Sequence, residues 1–152
     1  MNVTLLAHTQ INPALEADHP VLRGAGTPPE GMIEYAGRIC YRSDGLMGKN
    51  PGFISARVRE GHEDIVEHVR FVFRVEGTPL NDTILTLASQ PTVHYTDLGG
   101  GAWVFSLNAR NVRDFWVQSR SEMAQEMARQ ANGVTPTVFL DVVGFSAGVA
   151  EE

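Results

Sequence analysis

The chain has 152 residues but only one cysteine, Cys40, and few features of membrane or nucleic-acid-binding proteins. A single cysteine excludes a disulfide within the chain and is typical of the reducing cytosol. The chain carries 12 basic and 18 acidic residues, so it lacks the basic excess that non-specific binding to nucleic acid polymers requires. No apolar run approaches the roughly 20 residues of a membrane span. The N-terminus lacks the basic start and apolar core of a signal peptide. We therefore expect a cytoplasmic protein with no membrane partner.

The remaining composition is that of an ordinary globular protein. Hydrophobic residues make up 43% of the chain and charged residues 20%. The length suffices for one domain with a substantial core, but not comfortably for two. We predict a single domain over residues 1–152, with a loose tail at 144–152.

Residues 61–77 carry the clearest structural signal. The segment from Gly61 to His68 has the pattern of one or two helical turns. From Val69 the residues alternate, which places Phe71 and Phe73 on one face. The change of period from 3.6 to 2 predicts a short helix that leads directly into a half-buried strand.

Apolar spacing and capping signals predict the other elements. Val3 to Ala7 has the pattern of a first strand. Three Thr-Pro pairs, at 27–28, 78–79 and 135–136, are typical of a helix N-cap followed by proline in the first turn. Helices are expected at about 28–40, 53–60, 80–88 and 106–131, a loop at 92–101, and a helix or strand from 136 to 142. The predicted class is α+β, with long helices packed on a small, mostly antiparallel sheet.

Several polar residues near the middle of the chain invite a functional interpretation. His62 and His68 are six residues apart, so on a helix they point about 240° apart and do not suit one metal ion. Glu63 and Glu67 fit a solvated helix face better than an acid–base pair. Cys40 falls on the apolar positions of its helix and is expected to be a small buried hydrophobe.

The start of the predicted long helix is the strongest polar cluster. It contains Asn108, Arg110, Asn111 and Asp114. Helix N-termini offer unpaired N–H groups and the positive end of the helix dipole, so this cluster could bind a phosphate or an anionic ring edge. A capped, salt-bridged surface helix explains the same residues equally well. Arg113 and Arg120 are seven positions apart, so on one helix they would share a face, which is most often solvated.

Four segments, taken in order, resemble the flavin-dependent thymidylate synthases. They are Ala36–Tyr41, the Gly61–His68 segment with its Phe71-Val72-Phe73 strand, Trp103 ahead of Asn108-Ala109-Arg110, and Arg120 ahead of Ala124-Gln125. The chain departs from the family signature Arg-His-Arg-x-x-Ser and Ser-x-Arg-Tyr, reading 84–89 as ILTLAS and 92–95 as TVHY. In that departure and in size it resembles divergent members that methylate C5 of UMP and dUMP in nucleoside-antibiotic pathways of the polyoxin type.

The resemblance implies a reaction and its partners. The expected activity is C5 methylation of a uridine monophosphate (UMP and/or dUMP) with FAD as cofactor, methylenetetrahydrofolate as methyl donor and NADPH as reductant. A homotetramer with shared active sites is expected. The alternative is a non-catalytic homologue that keeps the fold and a nucleotide or flavin pocket. A different oligomeric module that only binds phosphate is a further alternative.

The resemblance also implies site residues, and none of them is a metal ligand. Those expected to contact the cofactor are His62, Asp64, Glu67, Ser89, Asn108, Arg110 and Asp114. Those expected to contact the substrate are Gln90, Thr92, His94, Tyr95 and Arg120. Among them Arg120 is the expected catalytic residue, which would stabilise negative charge on the pyrimidine carbonyl.

Overall fold

A computed structural model describes residues 1–142 of the chain. One antiparallel sheet has the strand order β1-β2-β4-β3. Its strands are β1 (Asn2–His8), β2 (Arg70–Glu76), β3 (His94–Gly99) and β4 (Ala102–Asn108). The α-helices are α1 (Pro28–Cys40), α2 (Phe53–Arg59), α3 (Asp82–Ala88), α4 (Ala109–Ser119) and α5 (Glu122–Asn132). Short 3₁₀ helices lie at Pro20–Arg23, Asp44–Leu46, Glu63–His68 and Pro136–Val138. The fold is α+β, as predicted.

The core lies on one face of the sheet. Strand β2 buries every second side chain, and Phe71 and Phe73 lie opposite Leu107 and Phe105 of β4. Each of these four side chains is fully buried. Burial of a side chain of this size contributes about 1.5–3 kcal/mol. Helices α4 and α5 add their apolar sides to the same core. The opposite face of the sheet, called the outer face below, carries the alternate residues of each strand.

The first half of the chain matches its predicted elements. Thr27 caps α1 through its hydroxyl, which accepts from the Glu30 N–H, and the Glu30 carboxylate accepts from the Thr27 N–H at 2.9 Å. The same carboxylate accepts from the backbone of Thr137 at 2.8 Å, which ties the end of the described chain to α1. The junction at 61–77 is confirmed, because the 3₁₀ helix Glu63–His68 runs directly into β2.

The predicted loop at 92–101 is wrong, because most of it is strand β3. All six residues of β3 are exposed, so the strand forms an edge of the sheet without an apolar pattern in its sequence. It turns into β4 through Gly100 and Gly101, whose φ values are +65° and +78°. Positive φ at both central positions is the requirement of a type I′ hairpin turn, which glycine meets without strain.

The predicted long helix at 106–131 is also wrong. Its first residues belong to β4, and two shorter helices follow. Arg120 adopts a left-handed conformation (φ +49°) that ends α4, and the Ser121 hydroxyl then caps α5 by accepting from the Ala124 N–H at 3.1 Å. Arg113 and Arg120 therefore do not share one face of a continuous helix.

Two of the three Thr-Pro pairs do not start the predicted helices. Helix α3 begins at Asp82, and Asn81 caps it by accepting from the Ile84 N–H at 2.9 Å. The pair at 135–136 leads only into the 3₁₀ turn Pro136–Val138. The predicted tail at 144–152 lies outside the described residues.

Cys40 is exposed, so its predicted place in the core is wrong. The buried face of α1 includes Glu30, Glu34 and Arg38 instead. A buried carboxylate is tolerable only when it is hydrogen-bonded. Glu34 meets this condition, because it accepts from the backbone N–H groups of Ala25 at 3.1 Å and of Gly48 at 2.6 Å. The polar side of α1 is thus buried because its side chains accept hydrogen bonds from the backbone of the surrounding loops.

Candidate functional site

A hydrogen-bonded network joins the loop after α3 to the start of α4. Asn111 lies at its centre with only 5% of its surface exposed. Its Oδ1 accepts from the Asn108 N–H and from the Thr92 hydroxyl, both at 3.1 Å. Its Nδ2 donates to the Pro91 carbonyl at 2.9 Å and to the Gln90 side chain at 3.3 Å. Three of the predicted site residues on separate segments, Asn108, Gln90 and Thr92, therefore meet at Asn111.

Thr92 occupies an unusual backbone conformation in this network. Its φ is +68°, which is costly for a β-branched residue. Its hydroxyl is held twice, by donating to Asn111 and by accepting from Asn108 Nδ2 at 3.2 Å. Strained backbone of this kind persists only where the surroundings determine it, and it is enriched at binding sites.

Asn108 is the N-cap of α4, as the alternative of a capped helix start required, although the helix begins later and is shorter than predicted. It caps α4 in a reciprocal arrangement with Asn111, in which each side chain accepts from the other residue's backbone N–H. The cap satisfies the Asn111 N–H, one of those that could otherwise point at an anion. Arg70 lies opposite Asn108 in the sheet register.

The arginines of α4 are paired with carboxylates. Arg110 lies 3.8 Å from Glu63 and 3.6 Å from Glu67. Arg113 lies 3.3 Å from Glu63 and forms a two-point contact with Asp141 at 2.5 and 2.8 Å. The two glutamates are thus not a simple solvated pair, and the α4 arginines are largely neutralised. This favours the capped, salt-bridged alternative over a phosphate site at the α4 start.

The charged groups of this cluster shift each other's pKa. Burial, and then the charge of Glu63, raise the pKa of Asp114 above its usual range. The hydrogen bonds from Arg113 lower the pKa of Asp141, although burial opposes the change. For Arg113, burial disfavours the charge, but Asp141 and Glu63 outweigh it and raise its pKa. A carboxylate next to Arg110 is therefore easier to protonate than an ordinary aspartate.

The predicted cofactor residues in and just before the 3₁₀ helix Glu63–His68 lie at the surface. His62 is half exposed, stacks on Tyr41 with ring centroids 5.9 Å apart, and shares a short hydrogen bond with the Tyr41 hydroxyl through Nδ1. Asp64 is exposed. Glu67 contacts Arg110, as described above. His62 and Tyr41 both lie in segments that carry the resemblance.

The predicted site residues from 89 to 95, of which Ser89 was expected at the cofactor and the others at the substrate, are exposed apart from Gln90. Ser89 donates to the Thr86 carbonyl at 3.0 Å, as an ordinary residue at a helix end does. His94 lies on β3. Tyr95 is 54% exposed, with its ring 6.1 Å from that of Phe105. Side chains that are open to solvent can contact a ligand or a second chain.

Arg120 does not join the network around Asn111 within one chain. It lies beyond the C-terminal end of α4, while Asn108 lies at the N-terminal end. A helix of 11 residues spans about 16 Å, so the two residues are at opposite ends. The guanidinium of Arg120 lies 4.8 Å from the centre of the Trp116 ring.

Two residues of the sheet join the network although the sequence did not indicate them. Arg70 donates through Nη2 to the Thr92 carbonyl at 3.0 Å and to the Ser106 hydroxyl at 3.2 Å. The signal that could have identified Arg70 is the pairing of β2 with β4. That pairing could not be predicted while Ser106 was assigned to a helix.

A comparison with protein families supports the resemblance over part of the chain. Residues 25–82 match the family model described as thymidylate synthase complementing protein. The match covers less than half of the chain, including α1 and the 3₁₀ helix with β2. A comparison with curated proteins finds no match. Within residues 1–142, no helix combines the length and apolarity needed to cross a membrane. Over residues 25–82 the chain is thus similar to the thymidylate synthase complementing protein family.

Proposed function

We propose that the protein is a flavin-dependent methylase of the thymidylate synthase type that methylates C5 of UMP and/or dUMP. The observation that carries the proposal is that the segment matched to the family supplies Arg70, which joins the polar network built by residues further along the chain. The matched segment supplies α1 and the Gly61–Glu76 junction, and β2 of this junction brings Arg70 to the network of Asn108, Asn111 and Thr92. The proposed partners are FAD, methylenetetrahydrofolate and NADPH, as the resemblance implies.

The chain's residues fit an anionic nucleotide better than they fit the whole of FAD. Asn108, Asn111 and Thr92 hold a strained loop in place, and Arg70 is a cation with donors to spare. The positions that read ILTLAS in place of the family's basic signature belong mostly to α3, where Ile84 and Leu87 are buried in the core. They cannot hold a pyrophosphate. The chain's residues therefore fit FAD only in part, and the flavin would have to be bound by residues outside that signature.

A site shared between chains would supply such contacts. His62, His94 and Tyr95 are exposed, and Arg120 lies at the far end of α4 from Asn108. If two copies of the chain form one site, Arg120 of one copy can face the nucleotide held by the other. This arrangement agrees with the proposed homotetramer. Bound flavin would carry the one-carbon and redox chemistry, while the protein binds, orients and stabilises charge.

The chemical role proposed for this chain is electrostatic. Arg120 would stabilise negative charge on the pyrimidine carbonyl as C5 becomes nucleophilic. The Asn111 network would keep Gln90 and Thr92 in the geometry that receives the nucleotide. No protein nucleophile is required in this proposal.

The alternative of a non-catalytic homologue is supported by a specific observation. Arg110, which the resemblance placed at the cofactor, and its neighbour Arg113 are both paired with carboxylates. A protein that has lost its phosphate chemistry would tolerate such pairing.

Purification with flavin analysis separates the two. The enzyme is expected to show a flavin absorbance band, to be reloaded by FAD, and to methylate UMP or dUMP when methylenetetrahydrofolate and NADPH are present. A protein that stays colourless after incubation with FAD would overturn the proposal.

Arg120→Ala distinguishes the enzyme from a module that only holds phosphate. In the enzyme, turnover is lost while nucleotide binding changes less. A phosphate-binding module would have no turnover to lose and would keep its ligand. Arg129→Ala serves as the control, because Arg129 is an exposed arginine that pairs with Glu126 on its own helix.

A further inference from the structure

Arg70 differs from Arg110 and Arg113, the other arginines near the Asn111 network, in having no carboxylate partner among residues 1–142. Its Nη2 is used by the Thr92 carbonyl and the Ser106 hydroxyl. Its Nε and Nη1 together carry three N–H donors, for which the described residues provide no acceptor. By contrast, Arg110 and Arg113 are both engaged by glutamate or aspartate. Arg70 is thus the cation at this site with its charge available.

Arg70 is held by Thr9 on one side and by Thr92 on the other. Its N–H donates to the Thr9 hydroxyl at 2.8 Å, and its carbonyl accepts from the Thr9 N–H at 3.0 Å. On the other side, its guanidinium is anchored to the strained Thr92 backbone. A guanidinium that is held in this way loses little further freedom when it binds an anion.

The sheet register brings His94 to the same place. His94 lies directly opposite Ser106, and Ser106 lies opposite Val72, two residues beyond Arg70 on β2. Directly opposed residues share a face, with Cβ atoms about 4.5–5.5 Å apart. His94, Ser106 and Arg70 therefore lie on the outer face of the sheet, with Ser106 on the strand between those of the other two residues.

We propose that Arg70 and His94, with the Ser106 hydroxyl, bind the phosphate monoester of the nucleotide substrate. This inference rests on the proposed function, since it names the phosphate end of the same site. The planar fork of arginine matches two phosphate oxygens, and imidazole and hydroxyl groups add donors. The anchor to Thr92 links phosphate binding to the predicted substrate loop. Arg70 thereby takes the place of the cations that the chain lacks in the region of Ile84–Tyr95.

Calorimetric titration of the flavin-loaded protein tests the inference. The probes are UMP and dUMP, compared with uridine and deoxyuridine, which have no phosphate. Arg70→Gln is expected to weaken nucleotide binding by about ten- to a hundredfold, the loss that charge-assisted hydrogen bonds produce. It should leave nucleoside binding nearly unchanged. His94→Gln should cause a smaller loss that is also specific to the phosphate.

The matched control is Arg74→Gln. Arg74 lies on the same face of the same strand but pairs with Glu76, and it is 44% exposed. This variant should bind nucleotide as the parent does. Arg70→Lys keeps the positive charge but loses the planar guanidinium that can bind two phosphate oxygens, so an intermediate nucleotide affinity is expected. If Arg70→Gln does not fold, the affinity of Arg70→Lys tests the phosphate assignment instead.

The outcomes separate the inference from the function on which it rests. If the protein binds flavin and nucleotide but Arg70→Gln binds nucleotide as tightly as the parent, the phosphate assignment is wrong and the proposed function stands. If the protein takes up no flavin but binds UMP in a way that depends on Arg70, the assignment stands and the methylase proposal fails. Equal weakening by Arg70→Gln and Arg74→Gln would show only general electrostatics and would also overturn the assignment.

Discussion

Replacing Asn111 by alanine would remove the centre of the polar network. The substitution breaks the hydrogen bonds to the Asn108 N–H, the Thr92 hydroxyl, the Pro91 carbonyl and the Gln90 side chain. Each such bond contributes about 0.5–1.5 kcal/mol net, and a buried group left without a partner costs about 1–3 kcal/mol. Alanine regains a few tenths of a kcal/mol through its higher helix propensity. We expect the free energy of unfolding to fall by about 2–4 kcal/mol.

Urea and thermal unfolding measure this loss directly. Trp103 and Trp116 both belong to the core, so tryptophan fluorescence follows the unfolding of the domain. For a chain of this size, 1 kcal/mol corresponds to about 2–4 °C, so the Tm should fall by about 5–15 °C. The slope of the urea transition should stay that of the parent, because the core is unchanged.

Asn132→Ala provides the matched control for this prediction. Asn132 ends α5, is partly exposed, and its side chain has no hydrogen bond within residues 1–142. Its replacement should change stability by no more than about 0.5 kcal/mol. If Asn111→Ala proved as stable as this control, the loop at 90–92 would be held by other contacts, and the argument from the network would be wrong.

Three further predictions concern charge and exposure. Asp141→Asn should lower stability at neutral pH by about 1 kcal/mol, since the contact with Arg113 is partly screened by solvent. Because the pKa of Asp141 is lowered on folding, its ionised form stabilises the fold above the ordinary aspartate pKa, and this stabilisation is lost as the pH falls through the lowered value. If parent and variant differed in stability by the same amount at low pH as at neutral pH, the prediction would be contradicted. The pKa of Asp114 is raised on folding, so its ionisation lowers the stability of the fold as the pH rises through the pKa of the folded state. Asp114→Asn should therefore be more stable than the parent at neutral pH and equally stable in acid. Urea unfolding at both pH values measures this difference. Cys40 should react with a thiol reagent such as DTNB in the folded protein without denaturant, whereas reaction only after unfolding would refute its exposure.

Local signals sufficed where a segment's own residues dictate its structure. The helix α1 begins after Thr27 because Thr27 and Glu30 form a capping box and proline follows in the first turn, and both signals are local. The alternation of Phe71 and Phe73 predicted β2 because side chains of a strand point to opposite faces. The same alternation is present at Trp103, Phe105 and Leu107, so the sequence of β4 also carries the pattern of a half-buried strand.

Other features depend on partners that lie far away along the chain. β3 has no apolar pattern, and it is a strand because β4 provides its hydrogen bonds. Cys40 and the apolar positions around it indicated a buried stripe, yet the polar side of α1 is buried because Glu34 binds two loops. In both cases the local pattern gave the wrong result because the energetic gain comes from tertiary contacts.

The candidate site also combines features that local sequence predicts with features that depend on tertiary contacts. The residue types near Asn108 indicated a capped helix start with polar chemistry, and the structure has that cap because side-chain capping is a local interaction. Whether the arginines there remain available for an anion could not be predicted, because it depends on which carboxylates the fold places beside them. Glu63 and Asp141 neutralise Arg113 from segments 50 and 28 residues away. The sequence by itself thus determined the capped start of α1, the junction leading into β2 and the polar residue types near Asn108. Only the tertiary structure decided that, within residues 1–142, Arg110 and Arg113 are paired with carboxylates while Arg70 is not, since charge pairing and strand register depend on residues far apart in the chain.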